Sequence, residues 1–100
     1  MINKYFGKLT LTDNMNEITY VILNEKYNSS FNLTQYIKEH QGKEIGLVIE
    51  INSVDVFCEV GKVEVISEVL MVNGRDISNV LWNETGKKIN IIIDDMEEES

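Results

Sequence analysis

Residues 32–50, NLTQYIKEHQGKEIGLVIE, return in altered form 44 positions later as residues 76–94, DISNVLWNETGKKINIIID, with no gap between the two alignments. Four of the 19 paired positions are identical. Eight more are close exchanges, such as Asn32 with Asp76, Leu33 with Ile77 and Thr34 with Ser78. Similarity at a fixed spacing points to a duplicated supersecondary unit. It limits the fold more than any other feature, because what one copy forms the other is expected to form.

Each copy has its own physical logic. Asn32 and Asp76 suit helix N-caps, since a short side-chain oxygen accepts a hydrogen bond from a free first-turn amide, and Gln35 completes a capping box. Leu33, Tyr36 and Ile37, and Ile77, Val80 and Leu81, fall at i, i+3 and i+4, so each helix buries one narrow stripe. Gly42 and Gly86 stop the helices. A period-two strand follows each stop: Ile45, Leu47, Ile49 and Ile51 share one face, as do Ile89, Ile91 and Ile93.

Two strand candidates precede each helix, at 4–12 and 17–24 and at 54–60 and 62–72. The plan is therefore ββαβ, twice, with halves at 1–51 and 52–94 joined by the turn Asn52-Ser53. The expected class is α+β: duplicated ββαβ units forming a compact small barrel or a two-sheet domain with two short helices. The alternative is a single β-grasp-like or SH3-like fold in which the likeness is accidental. A chain of 100 residues can bury roughly 60–70% of its unfolded surface. One globular domain over 1–95 is expected, followed by an acidic tail at 96–100.

Composition bears on function mainly by exclusion. No apolar run approaches the ~18 residues a membrane span needs, and the start MINKYFGKLTL has no signal-peptide core, so a cytoplasmic protein without membrane contact is the simplest expectation. Eleven asparagines, 13 isoleucines, eight lysines to one arginine and no proline fit AT-rich coding, as in a low-GC bacterium or its phage. The net charge is −8, but five acids lie in 94–99, and the remaining chain carries about −3. Direct phosphate-backbone binding needs clustered cations. Lys4, Tyr5, Phe6 and Lys8 give only a trace of such a platform, so no nucleic-acid partner is expected.

Chemistry-bearing residues are few. One histidine and one cysteine cannot build a Cys/His zinc site within one chain. His40 suits a helix C-terminus, and Cys58, alternating with Val54, Val56 and Val60, reads as a small core residue. Strand carboxylates such as Glu64 and Glu68 read as solvated acids, and no EF-hand or phosphate loop occurs. No enzyme, cofactor or metal is expected.

What remains is a binding surface. Trp82 occupies the place of Lys38 in the sister helix, and tryptophan is enriched at contact hot spots. Phe57 lies between Asp55 and Glu59, on the face opposite Cys58. The most loop-like stretch, 24–32, carries Tyr27 and Phe31. Asp94, Asp95, Glu97 and Glu98 supply acid. The expectation is a noncatalytic protein-binding module, an accessory or inhibitory protein of a phage or mobile element, engaging a basic partner through acidic and aromatic surface. The alternative is a small homo-oligomeric barrel that binds a nucleotide-like or other small ligand between halves or subunits.

Overall fold

The computed structural model describes residues 2–14 and 17–96. Its first half runs β1 (Ile2–Asn14), β2 (Glu17–Asn24), β3 (Ser29–Asn32), α1 (Leu33–Glu39) and β4 (Glu44–Ile51). The second runs β5 (Val54–Ile66), β6 (Val69–Val72), β7 (Arg75–Asp76), α2 (Ser78–Glu84) and β8 (Lys88–Asp94). Each half therefore has three strands before its helix rather than two. The added strands, β3 and β7, are four and two residues long, too short for a period-two signal.

All pairings are antiparallel, in the order β3-β2-β1-β8-β4-β5-β6-β7. The order has two ends, so among the described residues the sheet is not closed into a ring. The long strands β1 and β5 each serve two neighbours: β1 pairs with β8 over 2–8 and with β2 over 8–14, and β5 pairs with β4 and then β6.

Exchanging the halves maps this strand order onto its own reverse, and the register follows. Gly7 opposite Ile89 corresponds to Gly61 opposite Ile45. The Gly86 amide donates to the Leu9 carbonyl at 2.7 Å, and the Gly42 amide donates to the Val63 carbonyl at 2.9 Å. Thr34 Oγ1 accepts from the Tyr20 amide at 2.8 Å, as Ser78 Oγ accepts from the Leu70 amide at 3.0 Å.

The core lies between the inner face of the sheet and the two helices. Leu33 and Ile37 of α1, Ile77 and Leu81 beside and in α2, and Leu47, Ile49, Ile91 and Ile93 of the central strands are all fully buried. Burying a side chain of this size contributes about 1.5–3 kcal/mol, which makes these residues the main favourable term. Asn32 caps α1, its Oδ1 accepting from the Gln35 amide at 2.9 Å. Asp76 acts one residue earlier than expected: Ile77 holds the N-cap position, while Asp76 Oδ1 accepts from the Ser78 amide at 2.7 Å. Gly42 and Gly86 have φ of +88° and +93°, where a glycine stop belongs.

The expected facing of β5 is reversed. Cys58 is exposed, as are Val54 and Val60, whereas Phe57 is buried at 2% exposure. The reason is strand length. Reading 54–60 and 62–72 as two strands allows the inward face to restart at Gly61, but the backbone continues through Gly61 to Ile66 and turns only at Ser67-Glu68. The buried Val63 fixes the parity of the strand back to Phe57, beyond which the register against β4 shifts, so Phe57 faces inward. Among the described residues no helix is long and apolar enough to cross a membrane.

Candidate contact surfaces

The two halves share a scaffold but differ in surface chemistry, and the largest differences flank β1 and β3. In the first half Tyr5 and Phe31 stack with centroids 3.7 Å apart and planes at 6°. Phe31 tilts against Tyr36, and Tyr36 stacks on His40 at 4.0 Å. His40 Nδ1 lies 2.8 Å from the Tyr36 carbonyl oxygen, consistent with an imidazole settled at a helix end.

The equivalents of Tyr5 and Phe31 in the second half are Glu59 and Arg75, which form an ion pair at 2.6 Å. Asn73 Nδ2 donates to the other Glu59 oxygen at 3.0 Å. The hydrogen bond from Arg75, followed by that from Asn73, holds the Glu59 carboxyl below its usual range. The Arg75 guanidinium also lies 5.0 Å from the centre of the Phe57 ring. Polar groups thus stand in the second half where aromatic rings stack in the first.

Two clefts open beside the first-half stack. One, of about 200 Å³, lies between Lys4, Tyr5 and Phe6 of β1 and Ser29, Ser30 and Phe31 of β3. The other, of about 290 Å³, has Phe6, Gly7 and Leu23 as its floor and Lys8, Lys26 and Lys88 at its rim, with Glu25. The β2–β3 connection, 25–28, forms a wall. Its counterpart is the tight Asn73-Gly74 turn, so the second cleft follows from two extra residues.

The expected contact residues are dispersed. Trp82 projects from α2 at 59% exposure, and Tyr27, at 70%, tops the β2–β3 turn with Lys26 Nζ 5.4 Å from its ring centre. Phe31 is partly buried in its stack. Phe57 belongs to the core, which removes it from any contact surface in this fold. Asp94 and Asp95 are partly buried at the end of β8, and Glu97 and Glu98 lie outside the described residues. Sequence reasoning passed over Lys26 and Lys88, which only the β1–β8 register and the turn bring to Phe6 and Lys8. Among the described residues no three His, Cys, Asp or Glu side chains gather where they could hold a metal ion.

No protein-family model, curated protein or solved structure matches the chain.

Proposed function

We propose that the chain is an internally duplicated, noncatalytic protein-binding module, working in the cytoplasm as an accessory or inhibitory protein of a phage or mobile element. What supports duplication is the set of paired registers and hydrogen bonds shared by the halves. A β-grasp-like or SH3-like fold with an accidental likeness would leave them unexplained.

The observation that carries the binding reading is Trp82. The sister position, Lys38, is held by an ion pair to Glu17 at 3.2 Å, while Trp82 leaves most of its ring in water. A large aromatic side chain exposed on a rigid helix gains free energy when a partner covers it, and fixing its two rotatable bonds costs little entropy. In this reading a basic partner, or a second copy, covers Trp82, with Asp94, Asp95 and the tail acids Glu97 and Glu98 adding electrostatic attraction. The ligand-binding barrel is less well supported, because Leu47, Ile49, Ile91 and Ile93 fill the junction between the halves.

The test is Trp82→Lys, which copies the first helix. Affinity purification from the native host is run with wild type and variant side by side, with light scattering to measure mass. A stoichiometric basic protein, or a dimer, present with wild type and absent with the folded variant supports the proposal. Equal recovery and equal mass for both refute the role of Trp82.

A further inference from the structure

We propose that the start of β1 is a docking edge for an extended acidic segment of a partner protein, which adds as a strand beside 2–6 and sets its carboxylates among Lys8, Lys26 and Lys88. This edge is separate from Trp82, and the two readings fail separately.

The first support is backbone geometry. The Leu9 amide donates to the Lys87 carbonyl at 2.9 Å, so the backbone groups of Leu9 point toward β8. In a regular strand alternate residues point the same way, which turns Gly7, Tyr5 and Asn3 toward β8 and Phe6, Lys4 and Ile2 away from it. β2 pairs with β1 only from Lys8 onward. Among the described residues no strand pairs with the far side of 2–7, and Ser29, Ser30 and Phe31 of β3 face it only across the first cleft. An open edge of this kind is what an incoming strand extends.

Charge selects the strand. Lys8 stands opposite Lys88, and by the alternation above this is a non-hydrogen-bonded pair, the type that brings opposed side chains closest. Like charges placed so are unfavourable. The corresponding pair in the second half is Lys62 opposite Glu44, two opposite charges. None of the ion pairs among the described residues involves Lys4, Lys8 or Lys88. Lys26 enters the same cleft from the β2–β3 connection. Lysines on an open edge discourage pairing with another basic strand, and the same field attracts an acidic one.

The apolar floor completes the site. Phe6 is 53% exposed and Leu23 38%, so an alternating segment can rest an apolar residue on Phe6 while its acids reach the ammonium groups. A nucleic acid suits the site less well, because the chain's net charge of −8 repels a polyanion that extends beyond the local lysines.

The probe is a fluorescein-labelled peptide of about ten residues alternating glutamate and valine, titrated by anisotropy into the full chain. Lys88→Glu recreates the Glu44–Lys62 arrangement and is expected to fold at least as well as wild type. It should weaken peptide binding by about tenfold or more. Methylating alternate peptide amides should abolish binding, and so should salt that shortens the Debye length to about 3 Å. Trp82→Lys should leave the peptide affinity within about twofold. Absence of saturable binding, equal affinity for a lysine–valine peptide, or indifference to Lys88→Glu overturns the proposal. Tighter binding of a labelled oligothymidylate than of the acidic peptide overturns it in favour of single-stranded nucleic acid.

Discussion

Replacing Gly7 by alanine adds one methyl group where the fold has no room for it. The end of β2 passes so close to Gly7 that the new Cβ would collide with the backbone carbonyl of Leu23. A backbone group cannot rotate aside as a side chain can, so β2 or the 25–28 wall must shift. Overpacking of this kind costs about 1–3 kcal/mol. Restricting the unfolded chain returns part of that, about 0.4–1 kcal/mol. The net loss should be about 1–2 kcal/mol, or roughly 4–16 °C in Tm for a domain of this size. Gly46→Ala is the control: its Cβ would lie 3.5 Å from Val60 Cγ2 and 3.6 Å from Asp94 Cβ, ordinary contact distances, and the variant should be neutral or slightly stabilised. Urea denaturation read by Trp82 fluorescence gives both values, and an unchanged slope shows that only stability moved. If Gly7→Ala stays within about 0.3 kcal/mol of wild type, or Gly46→Ala loses as much, the steric reasoning is refuted.

Trp82→Lys should alter unfolding free energy by no more than about 0.5 kcal/mol, since the ring is mostly in water; a loss of several kcal/mol on denaturation would place it in the core. Cys58 should react with a thiol reagent in the native protein as fast as a model thiol within about tenfold, and protection until denaturant is added would contradict the outward face of β5. Because hydrogen bonds depress the Glu59 pKa, its contribution is present above the usual value of 4.5 and is lost as pH falls through the lower folded-state value. Glu59→Gln should therefore destabilise the protein at pH 7 and flatten the acid limb of its stability profile; an unchanged profile would mean that Glu59 makes no net pairing. Ending the chain after Met96 should leave Tm nearly unchanged, as a strongly acidic tail has little apolar surface to dock, and a loss of several degrees would show that it packs.

Much of the framework was legible because it depends on local periodicity. Both helices fall where the cap-to-glycine spacing puts them, and the alternating isoleucines of β4 and β8 face the core. What local pattern cannot supply is continuity and pairing. Gly61 resembles a break between two strands, yet the chain runs through it, and the facing of Phe57 and Cys58 reversed as a result. β3 and β7 owe their existence to neighbours rather than to any alternation of their own. The candidate edge was harder still. Lys4, Tyr5, Phe6 and Lys8 were visible only as a trace of a basic aromatic platform, and Lys88 joins them only through pairing of the first strand with the last. Among the described residues, the absence of a paired strand on the far side of 2–7 follows from where β2 ends, which no single segment encodes.

That pairing of first strand with last also governs how the protein is made. At about 5–20 residues per second, synthesis leaves β1 without β8 for several seconds. The carbonyl of Leu9 waits for Gly86 throughout. The first half is no better placed, since Gly42 takes its acceptor from Val63 in β5. Neither half is a folding unit that can close behind the ribosome, and contacts this distant in sequence belong to the slower, millisecond-to-second range of folding. The sheet therefore stays incomplete until Asp94 has emerged, which makes early release or a ribosome stalled before that point the moment at which these strands are most exposed to proteases and to mispairing.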